Sequence, residues 1–153
     1  IPENIKKVAV MVDPGINEVK EISYYCDTIQ LHGNEKNEFI KKIKKLTNLK
    51  IIKVIKVTKR SDLNGIKNYP FADEILLDTP AMGQSGEPFN FEYLKDIKNK
   101  KFFIAGKIGI QNVKTALRYS DKIDVNSGLE TEKGIKDPKK IKEFFSKVRN
   151  NDN

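Results

Sequence analysis

Residues 122–130 read KIDVNSGLE, and the segment changes character at its midpoint. Apolar Ile123 and Val125 alternate with charged residues, and this period of two is typical of a β-strand. The next three residues, NSG at 126–128, are small, polar or flexible and are typical of a turn. The segment therefore predicts a strand whose carboxyl end is suited to lining a binding site.

Similar apolar runs recur along the whole chain. Six runs share this character and predict strands, at 8–12, 28–31, 51–57, 74–78, 101–106 and 122–125. The segments that follow them have helical periodicity and predict helices, at 16–25, 35–47, 61–68, 91–98, 111–119 and 138–149. Consecutive βα units imply parallel strands joined by right-handed crossovers. The fold class is therefore α/β, either an open doubly wound sheet or a (β/α) barrel.

Length and composition predict one soluble domain over 1–153. A chain of 153 residues can bury a core, and 38% of its residues are hydrophobic. Its apolar runs are far shorter than the roughly 18 residues that a membrane span needs. Cys26 is the only cysteine and no secretory leader opens the chain, so we expect a reducing, cytoplasmic setting.

The net charge of +8 raises the possibility of a nucleic-acid partner. The lysines, however, follow helical periodicity: those at 41–45 and 139–142 alternate with apolar residues and form the solvent faces of two predicted helices. No basic groove with interleaved aromatic residues accompanies them. We therefore expect neither a nucleic acid nor a membrane as partner, and a small phosphorylated ligand remains compatible with the charge.

Most predicted strands end in polar residues or glycine, where parallel sheets and barrels bind their ligands. These residues are Asp13, Gln30, His32, Gly33, Lys56, Thr58, Asp78, Gly106, Lys107, Asp124, Asn126, Ser127 and Gly128. The last two strand ends, AGKIG and NSG, would let backbone N–H groups face an anion. Glycine-containing βα turns also serve tight packing, so a phosphate site and simple packing are both open readings of this pattern.

Several segments together resemble one enzyme family. They are VAVMVD (8–13), DTIQLHGNE (27–35), IIKVIKV (51–57), EILLDT (74–79), GQSGEPFNF (83–91), FFIAGKIGIQNV (102–113) and KIDVNSGLETEKGIKDPKKI (122–141). Their order and spacing are similar to those of phosphoribosylanthranilate isomerase of tryptophan biosynthesis. The resemblance implies a (β/α)8 TIM-barrel fold. It also implies an Amadori rearrangement of N-(5'-phosphoribosyl)anthranilate to 1-(2-carboxyphenylamino)-1-deoxyribulose 5-phosphate, without metal or organic cofactor.

The resemblance assigns a role to Asp78. Ring opening needs an acid at the furanose oxygen, and proton removal from the sugar C2' needs a base. Asp78 matches the family's general acid, and residues 80–90 match a loop expected to close over the sugar. A carboxyl group donates a proton at neutral pH only when its pKa is raised. The competing interpretation of Asp78 is a helix cap or a strand-end acceptor.

The resemblance also implies a phosphate site formed by Gly106, Lys107, Asn126, Ser127 and Gly128. The family has Gly-Gly where this chain has Gly106-Lys107, so Lys107 either pairs with the phosphate or donates only its backbone N–H.

Three further residues are expected to bind substrate. Asp124 matches a family residue near the anthranilate amine, although an Asp that holds a neighbouring loop is an alternative. Gln30 and His32, the only histidine, are expected to line the floor of the pocket, with His32 in a supporting hydrogen-bonded role.

The family's general base is a cysteine that ends its first barrel strand, and Cys26 is not in that motif. Cys26 is expected to close the first helix as an apolar filler. Counted from the matches, the six units correspond to the third to eighth units of the barrel. We expect the cysteine base, an arginine for the anthranilate carboxylate and the closing strands to lie in the first two.

Six units would leave strands 8–12 and 122–125 as open edges. The expectation is that the chain self-associates or takes up a complementing N-terminal segment. Two alternatives remain beside the isomerase: a non-catalytic remnant that binds a phosphorylated ligand, and a doubly wound α/β binding domain.

Overall fold

The computed structural model describes residues 1–79, 88–97 and 102–150. In chain order, these residues form β1 (Val8–Met11), α1 (Ile16–Ile22), β2 (Thr28–Leu31), α2 (Asn37–Leu46), β3 (Lys50–Lys56), a 3-10 helix (Arg60–Asn68), β4 (Glu74–Asp78), a second 3-10 helix (Phe91–Leu94), β5 (Phe102–Ile104), α3 (Val113–Leu117), β6 (Lys122–Ile123), β7 (Glu130–Glu132), β8 (Ile135–Lys136) and α4 (Pro138–Arg149). The predicted alternation of strands and helices is confirmed.

The six predicted strands are hydrogen-bonded in chain order, β1-β2-β3-β4-β5-β6. The β1–β2, β2–β3 and β5–β6 pairs are parallel. A doubly wound sheet reverses its strand order at a switch point, whereas consecutive βα units of a barrel do not. The sequential order therefore favours the barrel-type arrangement over the doubly wound one. β1 and β6 begin and end this order, as predicted for edge strands.

The chain divides into two compact units. The first comprises Ile1–Ile55 and Leu63–Leu76, and the second comprises Lys56–Asp62 and Leu77–Asn153. The core of the first unit consists of buried aliphatic residues: Val19, Ile29, Leu31, Ile40, Ile43, Leu49 and Ile51. They come from α1, β2, α2, β3 and the turn before β3, so each βα unit contributes one side chain or more to a shared core.

The second unit has its own buried core. Its members come from the 3-10 helix at 91–94, β5, α3 and α4, with the turns beside them: Phe89, Phe91, Leu94, Phe102, Ile104, Ala105, Ile108, Val113, Ala116, Leu129 and Phe144. The rings of Phe89 and Phe91 meet edge to face, with centroids 5.3 Å apart.

Helix α2 has the predicted solvent and core faces. Ile40 and Ile43 are buried, while the lysines at 41, 42, 44 and 45 are exposed. This confirms that these lysines form a solvated helix face. The same holds less strictly in α4, where Phe144 is buried but Phe145 is 49% exposed.

Two predicted helices are wrong in type. The segments predicted at 61–68 and 91–98 form 3-10 helices at Arg60–Asn68 and Phe91–Leu94. The first contains Asn64 and Gly65, which have low α-helix propensity. The predicted helix end at 98 and the predicted strand start at 101 fall on residues 98–101, which lie outside the described ranges.

Ser61, Asn90 and Asp137 stand at the starts of predicted helices and are residue types that favour the N-cap position, and two of the three are caps. The Asn90 side chain accepts a hydrogen bond from Glu92 N, and that of Asp137 accepts from Lys139 N with Pro138 in the first turn. Ser61 is not a cap, because the 3-10 helix already begins at Arg60.

The hairpin β7–β8 was not predicted. Its strands are very short and carry mostly charged or polar residues, so they lack an apolar period of two. The chain reverses through Gly134, whose φ is +85°.

Within the described ranges, no helix combines the length and apolar character needed to cross a membrane.

Candidate functional site

Asp78 ends β4 and is half-buried, with its carbonyl oxygen accepting a hydrogen bond of 2.8 Å from Val57 N. Gly106, which follows β5, lies directly against it. A Cβ on Gly106 would sit 2.7 Å from Asp78 Oδ1 and 2.6 Å from Thr79 Oγ1, and Gly106 has φ +80°. The structure therefore brings two of the predicted site residues, Asp78 and Gly106, together. Only glycine fits at position 106.

Lys107 continues this turn in the left-handed region, with φ +56°. Asn112 holds the turn with both ends of its side-chain amide. Its Nδ2 donates to Lys107 O and its Oδ1 accepts from Gly109 N, each at 2.9 Å. Asn112, which the strand-end pattern does not predict, thus fixes the turn at 106–109 locally.

A cavity of about 310 Å³ adjoins this turn. Its lining residues are Lys107, Gly109, Ile110, Gln111, Asn112, Gly128 and Lys140. This lining contains two lysines and no acidic residue. The Lys140 ammonium donates to Glu130 O at 2.7 Å, which fixes its position. The cavity is therefore suited to a small anion.

Gly128 reaches this cavity because the backbone approaches very closely there. It forms an isolated parallel bridge with Gly109, and a Cβ on Gly128 would sit 2.9 Å from Gly109 Cα and would overlap Ile108 O. Two of the predicted phosphate residues, Lys107 and Gly128, thus line one cavity. Packing explains the glycine at 128 whether or not a ligand binds.

Asn126 and Ser127 are exposed and lie outside the lining of that cavity. Lys136 of β8 donates to Asn126 O at 3.0 Å and also to the Asn126 side-chain oxygen and Glu130 Oε1. Hydrogen bonds from Lys136 and from Gly134 N hold the pKa of Glu130 below its ordinary value. The hairpin therefore braces the turn at 126–128.

Asp124 follows β6 and is half-buried, and its N–H donates to Ile104 O at 2.9 Å. Pairing with the β5 side therefore continues past Ile123, where the regular strand ends. Asp124 lies in the second unit, with Asp78 and the cavity residues.

Gln30 and His32 lie in the first unit. Gln30 is buried in β2, at 7% exposure, and His32 follows β2 and is half-buried. His32 N donates to Met11 O at 2.8 Å, which joins the ends of β1 and β2. Both residues occupy the carboxyl end of a parallel strand, as predicted.

A cavity of about 840 Å³ lies elsewhere in the first unit. Its lining includes Thr28 and Lys50, the first residues of β2 and β3. It thus opens at the amino ends of these strands, whereas ligands of parallel sheets bind at the carboxyl ends.

Cys26 lines the same cavity and is half-buried. The prediction that it closes the first helix is wrong, because α1 ends at Ile22 and Cys26 lies in the turn before β2. The Cys26 N–H still bonds to Ile22 O at 3.0 Å, so the chain keeps a helical turn there without continuing the helix.

Residues 80–87, most of the loop expected to close over a sugar, lie outside the described residues. Within the described ranges, no group of three or more His, Cys, Asp or Glu residues could hold a metal ion.

The sequence matches the family model of N-(5'-phosphoribosyl)anthranilate (PRA) isomerase over residues 2–147. A relative named N-(5'-phosphoribosyl)anthranilate isomerase, from Clostridium acetobutylicum, is 38% identical over 156 residues. That match covers 95% of this chain and 74% of the relative. A second relative of the same name, from Aquifex aeolicus, is 36% identical, with 95% and 73% covered.

The structure is similar to the crystal structure of phosphoribosyl anthranilate isomerase from Thermotoga maritima. The TM-score is 0.84 at 26% identity, and the match covers 98% of this chain and 76% of that one. It is also similar, at a TM-score of 0.80, to a phosphoribosyl anthranilate isomerase in complex with reduced 1-(o-carboxyphenylamino)-1-deoxyribulose 5-phosphate. That match also has 26% identity and covers 98% of this chain and 74% of the other.

Proposed function

Because the chain belongs to the N-(5'-phosphoribosyl)anthranilate isomerase family of tryptophan biosynthesis, we propose that its strand ends at β4, β5 and β6 bind and isomerise the phosphorylated sugar. The reaction is the Amadori rearrangement that yields 1-(2-carboxyphenylamino)-1-deoxyribulose 5-phosphate. A cytoplasmic location, expected from the lone cysteine, is part of the proposal.

One observation carries this proposal: a single turn links a carboxylate to an anion-suited cavity. Gly106 packs against the carboxylate of Asp78, and its neighbour Lys107 lines the cavity. If the phosphate of a sugar phosphate entered this cavity, its sugar ring would lie near the turn at 106–107. The ring would then be close to the Asp78 carboxylate, against which Gly106 packs. Positioning of this kind supplies much of the rate enhancement in such reactions.

In this proposal Asp78 is the general acid. As the furanose ring opens, its carboxyl proton passes to the ring oxygen, which becomes the free hydroxyl of the open-chain sugar. Asp78 is half-buried at a strand end and abuts Gly106 and Thr79, so its surroundings limit its movement.

The phosphate would bind at the turns 106–109 and 126–128. Lys107 and Lys140 supply positive charge from the cavity wall, and the backbone N–H groups of Gly106, Asn126, Ser127 and Gly128 are proposed as donors. The tight bridge between Gly109 and Gly128 supports this, because side chains there would hold a ligand away from the backbone.

Three further residues are proposed to contact the substrate, each described within its own unit. Asp124 is proposed to contact the anthranilate amine, and Gln30 and His32 are proposed to line the pocket. All three sit at or near the carboxyl ends of β6 and β2, where parallel strands place their binding residues.

The test of the acid is Asp78→Asn. The amide is similar in shape but cannot donate a carboxyl proton, so kcat should fall by about 10²–10⁴ while KM changes by only a few-fold. Asp121→Asn, an exposed aspartate of the same unit, is the matched control and should keep full activity. Asp78→Asn with activity close to that of the unchanged protein would contradict the assignment.

The test of the anion site is titration with inorganic phosphate. Lys107→Ala should weaken binding by roughly 0–1 kcal/mol, as is typical of an exposed pair, if backbone donors carry most of the affinity. Lys133→Ala, in the hairpin turn outside the cavity lining, should have no effect. A loss of several kcal/mol for Lys107→Ala would show that the lysine side chain forms the site.

We also propose that the six βα units are the third to eighth of a barrel formed by 1–153 together with two further N-terminal units. The supporting observation is an uncovered apolar face on β1. Val8 and Val10 alternate along β1 onto one face, Val12 follows the strand, and the three are 45%, 61% and 68% exposed. Among the described residues, β1 has a strand partner on one side only, so a complementing segment could add on the other.

The complementation is tested by mixing the chain with a segment that carries the two N-terminal βα units of a relative. Sedimentation should then show a compact one-to-one complex, and isomerase activity should rise with it. This proposal would be contradicted if the chain self-associates and the added segment does not convert those assemblies to the one-to-one complex. The Asp78→Asn comparison is made in the complemented preparation, so that the two proposals are judged separately.

A further inference from the structure

Lys53 and Glu35 form a buried ion pair that the proposed reaction does not use. Lys53 is 1% exposed and Glu35 is 6% exposed, and Nζ lies 2.9 Å from Glu35 Oε2. Buried lysines and glutamates are rare and need partners for every charge. Both residues belong to the first unit, so the pair can be described within that unit alone.

The ammonium group of Lys53 donates three hydrogen bonds to the last residue of β2 and the turn that follows it. Besides Glu35, it donates to Gly33 O at 2.8 Å and to Leu31 O at 3.3 Å. An ammonium group has three donors, so its capacity is filled. The two carbonyl groups belong to the residues on either side of His32, and Lys53 therefore pins the backbone on both sides of the single histidine.

Glu35 extends the same network to the end of β1. Its Oε1 accepts from Gly33 N at 3.1 Å and from Asp13 N at 2.9 Å. Asp13 has φ +46°, and its own Oδ1 accepts from Asn34 N at 2.6 Å. One carboxylate thus connects the turns that follow β1 and β2.

Hydrogen bonding outweighs burial at Glu35. Burial by itself would raise the pKa of Glu35, but hydrogen bonds from Lys53 and from Asp13 N hold that pKa below its ordinary value. The Tyr69 ring lies 5.5 Å from Lys53 Nζ and covers the pair. The Glu35 carboxylate is therefore ionised at neutral pH and is enclosed together with Lys53.

Stability alone does not account for such a pair. Buried ion pairs can often be replaced by apolar residues of similar volume with little loss of stability, because desolvation offsets their attraction. The pair does, however, join the turns that follow β1 and β2, and the second of these turns carries His32.

We propose that Lys53 and Glu35 are positioning residues that hold the His32 turn in its substrate-binding geometry. The inference rests on the proposed function in one respect, namely that His32 lines the substrate pocket.

The experiment replaces both charges at once, with Lys53→Met/Glu35→Leu, so that no unpaired charge remains buried. The matched control is Lys50→Met/Glu74→Leu, which removes the ion pair of 3.2 Å at the first residues of β3 and β4. The first readout is the NMR spectrum of the histidine ring, which needs no residue assignment because His32 is the only histidine.

We expect the ring signals of His32 to shift and broaden in the Lys53/Glu35 variant and to stay unchanged in the control. In the complemented preparation, KM should rise about tenfold in the first variant with kcat changed by less than threefold. Unchanged ring signals in a folded variant would overturn the proposal. Shifted signals with an unchanged KM would also overturn it, and neither result bears on Asp78.

If the double variant fails to fold, Glu35→Gln decides the question. The amide keeps an oxygen that can accept from Asp13 N and Gly33 N but loses the charge that orients Lys53. Ring signals of His32 that match those of the unchanged protein would then overturn the proposal, and a shift would support it.

Discussion

Gly106→Ala should destabilise the protein and impair its chemistry, for two separable reasons. The left-handed φ of +80° disfavours any residue with a Cβ, at roughly 1–2 kcal/mol. The added methyl group would also lie 2.6 Å from Thr79 Oγ1 and 2.7 Å from Asp78 Oδ1, and such overpacking typically costs about 1–3 kcal/mol. Together the free energy of unfolding should fall by roughly 2–5 kcal/mol.

Gly134→Ala provides the matched control. Gly134 has a similar φ of +85°, but nothing lies within 4 Å of the position that its Cβ would take. Only the conformational cost applies there, roughly 1–2 kcal/mol. The difference between the two variants therefore isolates the contact of Gly106 with Thr79 and Asp78.

Urea titrations of both variants followed by circular dichroism measure this difference, and isomerase assays of the complemented preparation measure its effect on Asp78. Gly106→Ala should also lower kcat, because relief of the clash displaces the proposed acid, whereas Gly134→Ala should leave kcat unchanged. Equal destabilisation and equal kcat in the two variants would refute the reasoning.

Three further predictions follow from single features. Asp137→Ala removes the side chain that caps α4 through Lys139 N and should cost about 0.5–2 kcal/mol in urea unfolding, against no change for exposed Asp121→Ala. Lys107→Gly removes a side chain from a backbone position with left-handed φ, and the flexibility of glycine partly offsets this benefit. The free energy of unfolding should rise by roughly 0–1 kcal/mol, and a fall would contradict the prediction. The pKa of Glu35 is lowered by folding, so its contribution to stability is present above about pH 4.5 and is lost as the pH falls further. Unfolding midpoints measured across this range should converge for the unchanged protein and Glu35→Gln, and a constant gap would contradict this.

The sequence predicted best those elements whose apolar pattern is clear and is bounded by polar or turn residues. β2 matches its predicted range 28–31, and α2 differs from the prediction only at its ends. The α-helix predicted at 61–68 was wrong because a short segment with Asn64 and Gly65 has little helical preference of its own. Tertiary contacts then decide its form. The hairpin β7–β8 was not predicted because its residues show no apolar alternation.

The candidate site was predicted where polar residues end an apolar run, as at Asp78 and Lys107. It was missed where the signal is tertiary. Lys53 lies inside a buried strand, and its partner Glu35 is 18 residues away in sequence, so periodicity alone predicts neither burial nor pairing. Asn112 and Lys140 lie near the starts of helical segments, and their sequence pattern is that of ordinary surface residues. Only the fold brings them beside one cavity.

The turn at 124–128 is tied to the β5 side at both of its ends. Asp124 N bonds to Ile104 O before the turn, and Gly128 pairs with Gly109 after it. The backbone there loses its conformational freedom when the protein folds, before any ligand arrives. An anion that binds at this turn would therefore meet donors that are already oriented, so association should proceed with a small entropy loss and without a slow rearrangement step.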